Sequence, residues 1–133
     1  MIDAQNRAST EDIISKYCED NDLNFDSVYR FLSEEIKGGQ TRILRHSNTL
    51  LVMHTLEEGV AEVHLMSLDQ PREIVEAIRE FYKSFQVAGF RAMVGRVEDD
   101  QIVRLIRMAN LPISFTQGEN GEPSDQFVIE VTQ

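Results

Sequence analysis

The sequence holds a single cysteine, Cys18, no tryptophan and only three prolines, and its 13 Lys+Arg stand against 23 Asp+Glu in 133 residues. Each scarcity closes off a class of function. One cysteine forbids an intramolecular disulfide, and no Cys/His cluster has zinc spacing, so no metal is expected. A formal charge of −10 leaves too few cations to answer a phosphate backbone, so nucleic acid is not an expected partner. No apolar run approaches the ~20 residues of a membrane span, and the first residues lack a basic-then-apolar signal pattern. A soluble, cytoplasmic chain is therefore expected, without a membrane partner. What is present is ordinary for a globular domain: 41% apolar and 27% charged residues. A chain of this length supports one core, and with no internal repeat or low-complexity linker residues 1–133 are expected to form one domain.

The acids are unevenly placed. Residues 1–40 hold nine acids and four bases, residues 41–69 four acids and two bases, and residues 113–133 four acids and no base, whereas residues 70–112 hold seven bases and six acids. An acidic front and tail thus flank a nearly neutral middle. The plain reading is a solvated surface; the sharper one is an acidic face that meets a basic protein or imitates nucleic acid.

Ser9-Thr10-Glu11-Asp12 is a helix start, a capping hydroxyl followed by first-turn acids, and Ile13, Ile14, Tyr17 and Cys18 mark its buried stripe. On that stripe Cys18 reads as a small core residue. Phe25, Val28, Tyr29, Leu32 and Ile36 trace a second helix from Asn24, closed by Gly38-Gly39. The period then changes to that of strands at Thr41–His46, Asn48–Leu56 and Val60–Leu68. The run Leu50–Met53 fits either a strand covered on both faces or a homodimer surface. Pro71 opens a long helix that Gly89 stops. Phe90–Val97 reads as a strand, Glu98-Asp99-Asp100 opens a shorter helix ended by Asn110 and Pro112, and Ile113–Gln117 and Gln126–Thr132 close the chain as a strand pair around a polar loop at 118–125. A short strand at Met1–Ala4 is an expected addition before the first helix. The order predicts an α/β (α+β) fold, a central mixed, twisted sheet of about six or seven strands flanked by about four helices.

This order resembles the GNAT-type N-acetyltransferase fold. Met1-Ile2-Asp3-Ala4 followed by Ser9-Thr10-Glu11-Asp12-Ile13 is similar to that family's opening strand and first helix, and Ile74 through Gly89 and Val94 to Ala109 is similar to its third helix, fifth strand and fourth helix. The resemblance implies acetyl-CoA as cofactor, held by a glycine-rich loop, Arg/Gln-x-x-Gly-x-Gly/Ala, after the strand matching Val60–Leu68. Here that stretch is Ser67-Leu68-Asp69-Gln70-Pro71-Arg72-Glu73, without glycine, with a proline that has no N–H to donate and with two acids where pyrophosphate would sit. Arg72 is the candidate counterion. In the following helix the resemblance places Asp99 at a position the family gives to Asn and Ile106 at that of a proton-donating Tyr; Asn110 stands where the family has Gly and tolerates the same left-handed backbone.

Glu62 and His64 share one face of their strand, where family members carry a general base, and they are the candidate catalytic pair; the plain reading is two ordinary polar residues. His46 and His54 add no i, i+4 pair, and no serine sits in a nucleophile motif. Arg42, Arg45, Arg91, Arg96, Arg104 and Arg107 form the strongest cationic set, with Arg104 and Arg107 neighbours on one helix face. The leading expectation is a degenerate, non-catalytic GNAT-like binding or assembly module with no coenzyme and an unidentified protein partner, similar to small phage-encoded proteins of the host cytoplasm or virion. The alternatives are an acetyl-CoA-dependent N-acetyltransferase with an atypical coenzyme site, using Glu62 or His64 and Arg72, and an acidic inhibitor or nucleic-acid mimic. An open gap between the two central parallel strands, with free N–H groups facing it, would favour a coenzyme, and a closed or side-chain-filled one would exclude it.

Overall fold

The computed structural model describes residues 8–97, 100–117 and 123–132. Helices α1 (Thr10–Asp20) and α2 (Phe25–Lys37) lead into strands β1 (Thr41–His46), β2 (Thr49–Glu57) and β3 (Val60–Ser67). Helix α3 (Pro71–Ala88), strand β4 (Ala92–Arg96), helix α4 (Asp100–Met108) and strands β5 (Ile113–Gln117) and β6 (Pro123–Glu130) follow. The expected strand at Met1–Ala4 and the helix opening at Glu98-Asp99 lie outside the described residues.

Local chemistry sets the helix ends. Ser9 Oγ accepts from the Asp12 N–H at 3.0 Å while Asp12 Oδ2 accepts from the Ser9 N–H at 3.3 Å, a reciprocal capping box. Removing that hydroxyl in Ser9→Ala is expected to cost about 1 kcal/mol, read as a lower urea midpoint with an unchanged slope. Asn24 caps α2 through its side-chain oxygen on the Ser27 N–H at 2.9 Å. Gly89 takes the left-handed backbone (φ +83°) that ends α3, and Asn110 does the same after α4 at +61°.

The six strands form one mixed sheet in the order β1-β2-β3-β4-β6-β5, and only β3 and β4 run parallel. That single parallel pair is why a helix must cross over between them, and α3 is the crossover. Side chains alternate along β2, so Leu51 and Met53 face a core built with α3 and α4, and Leu50 and Val52 face a second core built with α1 and α2. Of the two readings of Leu50–Met53, the strand covered on both faces is the one observed.

Two strands differ from expectation by two residues or more at an end. Strand β4 starts at Ala92 rather than Phe90, because the Phe90 N–H closes α3 on the Phe85 carbonyl at 3.0 Å, and the Arg91 and Ala92 N–H groups both reach the Gly59 carbonyl. Strand β6 starts at Pro123 and ends at Glu130, so part of the expected loop is strand. Its far end is held by Tyr82 on α3, whose hydroxyl donates to the Glu130 carbonyl and accepts from the Thr132 N–H.

Candidate functional site: a cleft where two parallel strands part

Strands β3 and β4 are in register only from Val60 opposite Ala92 to Glu62 opposite Val94. Beyond that point β3 continues to Ser67 on β2 and β4 to Arg96 on β6 without pairing to each other, so the sheet is split at its centre. The gap between the two strands is open, a cleft of about 430 Å³. Its walls are apolar, with Val63 and Leu65 from β3, Ile78 and Phe81 from α3, and Leu105 and Ile106 from α4. Polar groups gather elsewhere in the lining: Tyr17, Asp20 and Asn21 at the end of α1, His64 and Ser67 on β3, and Arg96 and Gln101. A concave apolar body with a few polar groups is the usual form of a small-molecule site.

The cleft reaches Ser67 and Ile74, on either side of the connection between β3 and α3. The two carboxylates of that connection are engaged by the chain's own donors. Asp69 turns into the β1–β2 turn and accepts from Thr49 Oγ1 at 2.7 Å, the Asn48 N–H at 2.9 Å and Ser47 Oγ at 3.1 Å. Its own N–H donates to Ser67 Oγ at 2.9 Å. Glu73 reaches back to the Gln70 N–H at 3.3 Å and so places its negative charge at the positive end of α3. Arg72 does not line the cleft; it lies along the outer surface of α3 in a groove with Arg79 and Met108.

Glu62 and His64 do share a face of β3, the one toward α1 and α2. His64 lines the cleft and packs edge-on against Tyr17, ring centroids 4.9 Å apart at 87°. Glu62 does not line it; it is exposed in the still-paired part of β3. Ile106, 3% exposed, is core as the sequence implies, and Asp99 lies outside the described residues.

Sequence reasoning dismissed His54, and the structure places it beside the candidate pair. The β2–β3 register sets His54 opposite Glu62 and Val52 opposite His64. His54 Nδ1 lies 2.9 Å from Thr41 Oγ1 on β1 and 3.5 Å from Glu35 Oε1 on α2. A polar row thus crosses three strands, Thr41–His54–Glu62, with Glu35 above it. Among the described residues no group of three or more His, Cys, Asp or Glu is arranged to hold a metal ion, and no helix is long and apolar enough to cross a membrane. Burial pushes the Cys18 thiol above its ordinary pKa, which keeps it protonated and unreactive.

The arginines scatter instead of forming one cationic site. Arg45 bridges the Ala8 carbonyl, Thr10 Oγ1 and Asn48 Oδ1 and so fastens the start of α1 to the β1–β2 turn. Arg91 sits 3.6 Å from Glu57, and Arg96 lies 4.0 Å from Asp125.

No protein-family model matches the sequence, and no curated protein matches it. Solved structures do match the fold. The dodecameric spermidine N-acetyltransferase of Vibrio cholerae superposes with a TM-score of 0.61 at 14% identity, over 96% of this chain and 92% of that one. The ribosomal-protein-alanine N-acetyltransferase of Brucella melitensis gives 0.60 at 9% identity, over 93% and 96%. YncA of Salmonella typhimurium, a putative acetyltransferase solved with acetyl-CoA, gives 0.55 at 9% identity, over 83% and 74%. The fold is the GNAT-type acetyltransferase fold, as the element order implied.

Proposed function

We propose that this chain is a binding module on an acetyltransferase scaffold, one that keeps the central cleft and has given up transfer from coenzyme A. The observation that supports this reading is the β3–α3 connection. A pyrophosphate seated there would meet Asp69 and Glu73, both already committed to the chain's own N–H and hydroxyl donors. Pro71 removes one of the helix-end donors that anion binding relies on. Ile106 supplies no proton for a leaving thiolate. A ligand of the cleft is accordingly expected to be apolar and neutral or cationic.

One observation favours a second reading, an acyltransferase with an atypical coenzyme site. The gap between β3 and β4 is open, and His64 and Tyr17 both line it, so a base or acid stands where an acyl group could be delivered. The two readings part in a calorimetric titration of the full chain with acetyl-CoA. The binding-module reading expects only heat of dilution; saturable binding with Kd below about 100 μM overturns it in favour of the enzyme. Under the enzyme reading Arg72→Glu, in the same connection as Asp69 and Glu73, is expected to abolish that binding; under the binding-module reading it changes nothing.

A further inference from the structure

A second concavity lies on the α1/α2 side of the sheet, between α2 and the sheet, its volume about 570 Å³. Its apolar lining is Val28, Phe31 and Leu32 from α2 with Val52 and Met66 from the sheet. Phe31 stands on its lip with 61% of its surface in water, the most exposed aromatic residue among those described. The charged side chains that line it are the carboxylates of Glu35 and Glu62, joined by His54, and no Lys or Arg contributes to the lining. The surrounding field has the same sign, since residues 10–37 carry eight acids and three bases.

We propose that this groove docks a basic amphipathic segment of a partner protein, with an apolar side chain against Phe31 and a Lys or Arg between Glu35 and Glu62. Removing the Phe31 ring from water supplies the non-directional part of the attraction. The two carboxylates set the sign of the partner and speed its approach. A second copy of this chain is the wrong occupant on charge, because each copy brings a formal −10 and the same acidic lining. The inference rests on the binding-module reading and names its partner's chemistry. Its test probes the groove, whereas the acetyl-CoA titration probes the cleft, so failure of one is distinct from failure of the other.

The probes are fluorescein-labelled synthetic peptides of about 12 residues, with apolar positions spaced for a helix or a strand and the polar positions filled by Lys and Arg, or by Glu. Anisotropy with the full chain is expected to show saturable binding of a basic peptide and none of its acidic counterpart. Glu62→Lys and Phe31→Ser are each expected to weaken binding at least about tenfold while the circular dichroism stays that of the parent. Glu76→Lys, on the exposed side of α3 across the sheet from the groove, serves as control and is expected to change it less than about twofold. Absence of saturable binding by every basic peptide overturns the proposal. So does an equal loss in the Glu76→Lys control, which would mean charge attraction without a site. A parent chain that dimerises in sedimentation and is made monomeric by Phe31→Ser would assign the groove to a second copy, and that also overturns it.

Discussion

Replacing Phe85 with alanine is expected to lower the unfolding free energy by about 4 kcal/mol, read as a fall in the urea midpoint at constant slope. Phe85 lies on α3, is 1% exposed and stacks at 36° and 4.8 Å on Phe90, the residue that follows the helix stop. The substitution removes the ring's transfer energy, leaves a cavity between α3 and the sheet, and unfastens the turn that sends the chain into β4. Against a total stability of ~5–15 kcal/mol for a domain of this kind, the loss is a large fraction of what holds the fold. Phe85→Leu, which keeps most of the volume, is expected to recover more than half. A loss under about 1 kcal/mol for Phe85→Ala would mean that the core around α3 collapses onto the gap, contrary to the close packing described.

The second large effect is expected at Asp69. Its carboxylate collects the Asn48 N–H and the hydroxyls of Ser47 and Thr49, and Thr49 is 0% exposed. In Asp69→Ala those donors lose a charged acceptor and the buried ones find no water to replace it, a loss of about 3 kcal/mol. Asp69→Asn keeps one acceptor oxygen at the same place and is expected to lose about half as much. Thermal unfolding of the two variants beside the parent settles the order. Equal stability of Asp69→Ala and the parent would show that the Arg45 bridge alone holds the β1–β2 turn. This carboxylate is part of the fold's fastening, which is the physical reason it is not free to be exchanged for the glycine that a phosphate loop needs.

Most of the scaffold was legible before the structure. Caps at Ser9, Asn24, Gly89 and Asn110 act within one turn of chain, so local chemistry decides them. The change of period at Thr41 and the double-sided run Leu50–Met53 also report burial directly. The site was legible only in part. Asp69 and Glu73 were recognised as acids out of place, but that Asp69 is held by the β1–β2 turn depends on contacts some twenty residues apart. His54 was passed over because its place opposite Glu62 depends on strand register, and β2 carries an irregularity between Thr55 and Glu57 that shifts it. Pairing of β3 with β4 stops at Glu62 for reasons no periodicity shows, and the cleft follows from that stop.

Gly95 sits opposite Phe127 in the β4–β6 ladder, and a methyl group added at residue 95 would lie 2.4 Å from the Phe127 ring. Phe127 in turn lines the cleft. The room in the cleft is thus governed by a residue that a ligand need never touch. A side chain at 95 would push the ring aside and reshape the space between the strands, so selection could retune what this scaffold holds by editing the back of its wall.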